Sequence, residues 1–228
     1  MLDHPPTLPL VVASVNNGED LRSLAGMDLP QCCDLLEIRL DGLADDVAPL
    51  EDGPIPLLLT PRCMEEGGWR GWPIAERIAA VNCWCRPGCW IDLEASTLET
   101  SPEARQAART WVAEGHPLVC SFHDFSGVPE DSHLDHYREV ARNVGATVFK
   151  VAATANDFDS LLRLANWFHR TPRQPKLSVM PMGRFGLSGR LLLATAGSFL
   201  NYGFLREASV PGQWRAAEMR ALLQDSRA

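Results

Sequence analysis

Lysine is nearly absent from this chain of 228 residues. Nineteen of its 21 basic residues are arginine, and its two lysines are Lys150 and Lys176. Arginine replaces lysine in most surface roles, but its guanidinium stays protonated and does not act as an amine nucleophile. Because Lys150 lies inside an apolar run, it is a candidate for a chemical role.

Long apolar runs and excess positive charge are also lacking. The longest uncharged apolar stretch, Leu191 to Leu200, is half a membrane span, and the N-terminus lacks a basic region followed by an apolar core. The net charge of −8 argues against general binding to nucleic acid or anionic membranes, because both need a basic surface. We therefore expect a soluble, cytoplasmic protein in which a local cluster of cations meets any anionic ligand.

The chain also lacks a disulfide framework or a zinc motif. Its seven cysteines are an odd number in a chain too large to need disulfides. Cys83, Cys85 and Cys89 surround a Pro-Gly turn, and Cys32 adjoins Cys33, but neither spacing gives paired Cys-x-x-Cys motifs with histidine partners. Free thiols and no metal are therefore expected.

Eight short apolar runs recur at fairly even intervals and predict eight strands. They are Leu8 to Val15, Leu35 to Leu40, Pro56 to Thr60, Trp90 to Leu93, Pro117 to Ser121, Thr147 to Ala152, Leu177 to Met182 and Phe199 to Phe204. Segments with helical periodicity lie between most of them; Ser101 caps one, and Asn156 precedes another in which Phe158 and Leu162 are among the apolar positions.

This alternation of strands and helices is typical of an α/β protein with a parallel sheet. Eight repeats favour a closed (β/α)₈ TIM barrel over an open doubly wound sheet, and no Gly-rich dinucleotide loop follows the first strand. We expect residues 1–228 to form this one domain. The active site of such a barrel lies where the strands end, so polar residues there are candidates.

One face of the second strand is charged and carries Glu37, Arg39 and Asp41. Since a strand of a parallel barrel is buried on both faces, that charged face must point into the lumen or into a site. The other strand ends supply Arg62, Asp92, Glu94, His123, Lys150, Met180 and Met182.

Lys150 and His123 end neighbouring strands and are within reach of one ligand. Desolvation and nearby arginines lower the pKa of a buried lysine, as imine formation requires. The alternative is a lysine that extends out of the strand end or pairs with Glu37 or Glu94. His123 is suited to proton transfer, although a lone histidine is more often a packed or capping residue.

Two further histidines, His133 and His136, lie with Asp131 and Asp135 at the predicted start of a helix after Pro129. Acidic residues favour a helix N-terminus and are solvated there, which indicates a helix start rather than a metal site.

A segment with three glycines and the last loop of the chain are predicted to lie near the mouth of the barrel. Gly183, Gly186 and Gly189 predict a loose segment before Arg190. The loop from Ser209 to Gln213 leads into a final helix predicted to begin near Trp214, and it is either a lid or a plain turn.

Together these residues resemble the type I 3-dehydroquinate dehydratases, a (β/α)₈ family of the shikimate pathway of aromatic amino acid biosynthesis. The resemblance covers nearly the whole chain. The matching segments are, in order, Glu37-Ile38-Arg39-Leu40-Asp41, Thr60-Pro61-Arg62 with Glu66-Gly67-Gly68, Ser121-Phe122-His123-Asp124-Phe125 with Pro129, Phe149-Lys150-Val151-Ala152, Met180-Pro181-Met182-Gly183 with Arg190, and Ser209-Val210-Pro211-Gly212-Gln213.

The resemblance implies a hydro-lyase that converts 3-dehydroquinate to 3-dehydroshikimate and water. Lys150 would form a Schiff base with the C3 ketone, His123 would transfer the protons of a syn elimination, and Glu66 would tune His123. The implied substrate contacts are Glu37, Arg39, Arg62, Met180, Met182, Arg190, Tyr202, Ser209 and Gln213. The family needs no metal or organic cofactor, and a homodimer is its common state.

The sequence departs from the family pattern at three places. Because the chain starts almost at strand 1, we expect the N-terminal hairpin that often closes the barrel bottom to be reduced or absent. Gly189 stands where the family usually has serine, and Val210 where it has alanine.

Two rival functions remain open. They are another Schiff-base lyase on a TIM barrel, such as an aldolase, and a non-catalytic module that binds a shikimate-type metabolite.

Overall fold

The eight strands form one parallel barrel. The structure, a computed structural model, describes residues 9–51, 53–208 and 210–225. The strands are β1 (Leu10–Val15), β2 (Leu35–Arg39), β3 (Leu57–Thr60), β4 (Trp90–Glu94), β5 (Leu118–Asp124), β6 (Val148–Thr154), β7 (Lys176–Met182) and β8 (Leu200–Phe204). Strands β1 to β7 pair with one another in chain order, and β8 pairs with β1. The predicted TIM barrel and its strands are confirmed, with small shifts at the strand ends.

Helices connect the strands and cover the outside of the barrel. The described helices are α1 (Gly18–Ser23), α2 (Leu29–Cys32), α3 (Ile74–Trp84), α4 (Ala95–Thr100), α5 (Pro102–Ala113), α6 (Asp131–Asn143), α7 (Phe158–Arg170), α8 (Gly186–Thr195) and α9 (Ala216–Asp225). Short 3₁₀ turns follow β2, β3 and β7 at 40–42, 64–66 and 183–185. The helix predicted after Ser101 is α5, and the Ser101 hydroxyl accepts a hydrogen bond from the Ala104 N–H, as expected of a cap.

Helices α7 and α9 each begin two residues after the residue that the sequence analysis named beside their start, Asn156 and Trp214. The cap of α7 is Asp157 rather than Asn156, because the Asp157 carboxylate accepts the Ser160 N–H at 2.7 Å. The last helix begins at Ala216 rather than near Trp214, since the Trp214 carbonyl accepts the Phe204 N–H beside β8. Chain that pairs with a strand edge is extended and does not start a helix.

The apolar face predicted for α7 is narrower than expected. Leu161 and Phe168 are buried, but Phe158 and Leu162 are 59% and 42% exposed. The buried residues of α7 recur at helical spacing and include Leu164 and Trp167, so Phe158 and Leu162 lie together outside the face that packs against the sheet.

Side chains alternate between the two faces of each strand, and this gives the barrel two apolar regions. Residues that point outward, such as Val11, Ile38 and Phe149, pack under the helices. Residues that point inward near the strand starts, such as Val12 and Leu58, fill the bottom of the lumen. Further along each strand the inward positions become polar, so the lumen is apolar at the bottom and charged towards the strand C-termini.

The barrel closes between β7 and β8 by hydrogen bonds from loop and hydroxyl groups. The Phe199 N–H donates to the Leu177 carbonyl at 2.8 Å. The Ser198 hydroxyl accepts from the Val179 N–H at 2.9 Å, and the Ser178 hydroxyl accepts from the Leu200 N–H at 2.7 Å. These bonds satisfy buried main-chain groups where the strand ladder is not continuous.

The prediction that the N-terminal hairpin is reduced concerns the segment before β1. Residues 1–8 lie outside the described part of the chain, so it stays a prediction. Among the described helices, none is long and apolar enough to cross a bilayer.

Candidate active site

A cavity of about 220 Å³ opens at the C-terminal ends of the strands. Of the site residues predicted from the sequence, those that line it are Glu37, Arg39, Arg62, Glu66, His123, Lys150, Met180, Met182, Arg190, Tyr202 and Gln213. Ser209 is outside the described residues. With Ser14 of β1, side chains from seven strands or the segments that follow them meet in one space, as expected for this end of a barrel.

Lys150 points into the lumen from the middle of β6. It is 4% exposed and lies in register with Ser121 on β5 and Ser178 on β7. Its ammonium nitrogen donates to the Asp92 carboxylate at 3.1 Å and lies 4.2 Å from the centre of the Tyr202 ring. The lysine does not extend out of the strand end, and its partner is Asp92 rather than Glu37 or Glu94.

The pKa of Lys150 is lowered from its ordinary value. Burial is the largest cause, and the positive charge of Arg62 acts in the same direction, whereas Asp92 and Glu37 oppose both. Burial thus outweighs ion pairing, and the neutral amine is more accessible than it is in a solvated lysine.

The carboxylate that holds Lys150 is itself part of a buried charge network. The Arg62 guanidinium donates to Asp92 at 2.8 Å and to Glu94 at 3.1 Å, and the Ser121 hydroxyl donates to Asp92 at 2.6 Å. Burial alone raises the pKa of Asp92, but Arg62 and Lys150 outweigh burial and lower it. Arg77, from α3, forms a second ion pair with Glu94. Alternating charges therefore fix Asp92 as an anion beside Lys150.

His123 and Glu66 form a hydrogen-bonded pair beside Lys150. Glu66 Oε2 accepts from the His123 main-chain N–H and contacts His123 Nδ1, both at 2.9 Å, and Oε1 accepts from the Ser96 hydroxyl at 2.7 Å. Burial, together with Arg62 and Lys150, lowers the pKa of His123 well below its usual value, and burial raises the pKa of Glu66 to about 7. A neutral His123 that donates from Nδ1 to Glu66 has Nε2 available as a base.

Glu37 and Arg39 form the wall contributed by β2. Glu37 accepts hydrogen bonds from the hydroxyls of Ser14 at 2.6 Å and Thr60 at 2.9 Å. Arg39 makes a two-point contact with Asp41 and stacks 4.3 Å from the centre of the Trp69 ring. Both charged groups are therefore held in fixed positions at the cavity surface.

Arg190 is a buried cation without a carboxylate partner among the described residues. Its guanidinium donates to the main-chain carbonyls of Pro181 at 3.0 Å and Tyr202 at 3.1 Å. Burial lowers its pKa to about 10, so it remains charged at neutral pH. A buried guanidinium in a cavity is suited to a ligand carboxylate, which would supply the missing negative charge.

The prediction of a loose segment before Arg190 is wrong, because its glycines allow close packing. A Cβ on Gly189 would lie 2.8 Å from both Leu161 and Pro181, so the glycine lets α8 approach β7. A Cβ on Gly186 would lie 2.8 Å from Gly212, so the 210–213 loop rests directly on the start of α8. The absence of a side chain at position 189 therefore brings Arg190 within reach of the β7 carbonyl.

The remaining walls of the cavity are apolar or half-buried. Met180 and Met182 are buried on β7, and Gln213 reaches the cavity from the loop before α9. The Tyr202 hydroxyl is buried without a hydrogen-bond partner among the described residues.

His133 and His136 lie away from this cavity on α6. The His133 ring packs 5.3 Å from that of Phe122, and His136 hydrogen-bonds to Glu99. These contacts are structural, and within the described residues no cluster suited to a metal includes either histidine.

Comparison with known proteins agrees with the geometry of the cavity. A sequence model of the type I 3-dehydroquinase family matches residues 11–228. This chain belongs to the type I 3-dehydroquinase family. The matched span covers nearly the whole chain, so the resemblance inferred from short motifs is confirmed at the level of the family.

Relatives in the family share a quarter to a third of their residues with this chain. The 3-dehydroquinate dehydratase of Halobacterium salinarum is 31% identical over 205 residues, which cover 86% of this chain and 90% of the relative. That of Thermococcus gammatolerans is 30% identical over 193 residues, covering 83% and 86%. The crystal structure of the 3-dehydroquinate dehydratase of Geobacillus kaustophilus has a TM-score of 0.82 and 26% identity, covering 97% of this chain and 92% of that one.

Sequence reasoning missed several residues that shape this type I 3-dehydroquinase cavity. Asp92 is a strand end with no role in the sequence analysis, and Glu94 appears there only as an alternative partner of Lys150, although β4 repeats the alternation of charged and apolar residues that singled out β2. Arg77 lies on a helix, where no strand pattern points to the lumen. Asn16 and Trp69 line the cavity from connecting segments, and their positions depend on tertiary contacts.

Proposed function

We propose that this chain is a 3-dehydroquinate dehydratase that acts through a Schiff base on Lys150. The observation that carries the proposal is the meeting, in one cavity, of a buried lysine of lowered pKa, a neutral histidine and a buried arginine without a carboxylate partner among the described residues. These three groups supply the nucleophile, the base and the carboxylate site that the reaction requires.

The first stage makes the C2 proton of the substrate acidic. The neutral Lys150 amine attacks the C3 carbonyl carbon, and the resulting carbinolamine loses its oxygen as water to give a protonated imine. The imine then accepts the electron pair that is released when the C2 proton leaves. Burial, which makes the neutral amine accessible, supports this step.

The second stage is the elimination. His123 Nε2 removes the C2 proton, the electrons move into the imine to give an enamine, and the enamine expels the C1 hydroxyl, which takes the proton from His123 and leaves as water. Hydrolysis of the conjugated imine then releases 3-dehydroshikimate and the free amine. The net change is the loss of one water, with a syn course because one base serves both positions.

Glu66 orients and polarises the base. Its carboxylate accepts a hydrogen bond from His123 Nδ1 at 2.9 Å, so Nε2 is left to face the substrate. The arrangement corresponds to the carboxylate that orients a catalytic histidine in other enzymes.

The other predicted residues bind the substrate. Arg190, with Gln213 and Ser209, would hold the carboxylate, while Glu37, Arg39 and Arg62 would order the hydroxyls and Lys150. Met180, Met182 and Tyr202 would form the walls around the ring. Asp92 joins this set as the anion that positions the Lys150 amine.

The two rival functions receive less support. An aldolase would use Lys150 but has no need of a carboxylate site at Arg190, and a binding module has no need of a lysine with a lowered pKa. Family membership favours the dehydratase over both.

Cellular location and assembly are proposals as well. All seven cysteines are free, which fits a reducing compartment such as the cytoplasm. A homodimer follows from the resemblance to the family.

Turnover of 3-dehydroquinate by two lysine variants tests the function. Formation of the conjugated enone of 3-dehydroshikimate is followed by ultraviolet absorbance. We expect Lys150→Ala to lose activity by at least about 10³-fold, because it removes the nucleophile.

Lys176→Ala is the matched control. Lys176 begins β7 at the opposite end of the barrel, where its amine lies 3.9 Å from the centre of the Phe199 ring. This variant should keep wild-type turnover. A wild-type chain that forms no enone, or a Lys150→Ala variant as active as Lys176→Ala, would overturn the proposal.

A further inference from the structure

Asn16 is the first residue after β1, and its main chain is held firmly. Its N–H donates to the buried Asp20 carboxylate at 2.9 Å. A Cβ on Gly42 would lie 1.9 Å from the Asn16 carbonyl oxygen and 2.7 Å from the Trp69 ring, so the glycine lets these segments come together. The position of the Asn16 side chain is therefore set by contacts from three parts of the chain.

The Asn16 amide itself makes no hydrogen bond within the described part of the chain. The residue is 8% exposed, and its Oδ1 atom is buried without a partner. The neighbouring Asn17 differs, because its Oδ1 accepts the N–H groups of Glu19 and Asp20 at 2.9 and 3.0 Å and caps α1. A buried amide whose hydrogen bonds are unmade needs an explanation such as a missing ligand group.

The amide lines the catalytic cavity on the wall formed by β1 and β2. The neighbouring polar groups already have partners in the protein: Ser14 donates to Glu37, and Arg39 contacts Asp41 and the Gly67 carbonyl. Asn16 is thus the polar side chain of this wall with its full hydrogen-bonding capacity left for a ligand.

The geometry of the barrel indicates which part of a ligand would reach this wall. In a ring of eight strands β1 lies across the lumen from β5, which carries His123. On the proposed function, the C3 carbon lies at Lys150, the C2 carbon at His123 and the carboxylate at Arg190. The hydroxyls at C4 and C5 are then the substrate groups that remain for the β1–β2 wall.

We propose that Asn16 is a specificity-determining residue that hydrogen-bonds the C4 or the C5 hydroxyl of the substrate. The inference rests on the proposed function. When a ligand lacks this hydroxyl, the buried amide stays unpaired. The site therefore discriminates strongly against such a ligand. Although this hydroxyl is not at the reacting bond, its binding energy contributes to kcat/KM.

The test compares substrates as well as variants. Asn16→Leu keeps the approximate size of the side chain and removes both hydrogen-bonding groups. The ratio kcat/KM is measured with 3-dehydroquinate and with its two analogues that lack the C4 or the C5 hydroxyl. We expect Asn16→Leu to lose roughly 10- to 100-fold with the full substrate, and about twofold or less with one of the two analogues.

Asn17→Ala is the matched control, because it disturbs the same segment by removing the α1 cap without removing a cavity group. It should change kcat/KM by one common factor for all three compounds. Asn16→Ala provides the same comparison if Asn16→Leu does not fold.

Two results would overturn the role of Asn16. One is an equal loss with all three compounds, which a structural role predicts, and the other is no loss with any of them. A failure of the proposed function looks different, because the wild-type chain would then form no enone from 3-dehydroquinate at all.

Discussion

At the scale of single residues, opposing electrostatic effects decide the charge of the groups in the lumen. Asp92 favours the charged form of Lys150, while burial and Arg62 favour the neutral form, and the balance lowers the pKa of the amine. If Lys150 were in water beside the same carboxylate, ion pairing would prevail. Burial of the amine therefore decides the direction of its pKa shift, against the carboxylates around it.

Glu66 makes the free energy of unfolding depend on pH. Burial raises its pKa from 4.5 to about 7, so between these values the folded chain binds more protons than the unfolded chain does. The free energy of unfolding contributed by this group therefore falls as pH rises from about 4.5 to about 7. We predict that Glu66→Gln lacks this fall and gains stability relative to wild type between about pH 5 and about pH 8, as measured by urea unfolding at both pH values.

Glu103→Gln is the control for that experiment, because Glu103 is an exposed carboxylate that makes no hydrogen bond or ion pair with the other described residues. Its stability relative to wild type should change far less between the two pH values. If Glu66→Gln and wild type had the same pH dependence of stability, the carboxyl would be titrating as a solvated group.

The sequence indicated those residues of the lumen that belong to a strand pattern or to a motif. The alternating charges of β2 placed Glu37 and Arg39 in the lumen, and an apolar flank singled out Lys150. The same argument named the wrong partner for Lys150, because which carboxylate lies closest depends on side-chain directions across the lumen. In the structure Asp92 contacts the Lys150 amine, whereas Glu94 is bound by Arg62 and Arg77.

At the scale of elements, close glycine contacts determine where α8 and the 210–213 loop lie. Gly186 and Gly212 contact each other directly, and Gly212 adopts a positive φ of 79° that an L side chain disfavours. The loop that carries Gln213 is therefore seated on α8 rather than free above the cavity.

Gly186→Ala should displace this loop. A Cβ at position 186 would lie 2.8 Å from the Cα and carbonyl oxygen of Gly212, so the loop has to move away from α8. We predict that KM for 3-dehydroquinate rises by roughly tenfold, about 1.4 kcal/mol of binding free energy, because Gln213 would move away from the place at the carboxylate that we propose for it. Steady-state kinetics measures the change.

Gly127→Ala is the matched control, since a Cβ there meets no atom within 4 Å and its φ is not positive. Its KM should equal that of wild type. Equal KM values for Gly186→Ala and wild type would show that the glycine contact does not position the loop. The sequence alone did not reveal this contact, because a Gly-rich pattern predicts flexibility and tight packing equally well.

At the scale of the whole molecule, the barrel depends on the joint between its last two strands. Two serine hydroxyls replace part of the strand ladder between β7 and β8. Lys150 on β6 and Tyr202 on β8 lie on either side of β7, so the joint also fixes the width of the cavity.

Ser198→Ala should weaken this joint. It leaves the buried Val179 N–H without its acceptor, and we expect a loss of about 1–3 kcal/mol in the free energy of unfolding, measured with urea. Ser126→Ala, which removes an exposed hydroxyl bonded to Asp124, is the control and should change stability by less than about 0.5 kcal/mol. A loss for Ser198→Ala no larger than for Ser126→Ala would contradict this account of closure.

The architecture was predictable because strand and helix periods, cap residues and the count of eight units all indicate the same barrel. The closing joint was not, since Ser178 and Ser198 are ordinary small residues in the sequence. Their role arises only when β8 returns to β7 at the end of the chain.

The central claim is that Lys150, and not another amine, forms a covalent imine with the substrate. Borohydride reduction in the presence of 3-dehydroquinate, followed by peptide mass mapping, tests it directly. The account predicts an adduct on the Lys150 peptide that is absent from Lys150→Ala and unchanged in Lys176→Ala. An adduct on the Lys176 peptide, or turnover without any adduct on Lys150, would contradict it.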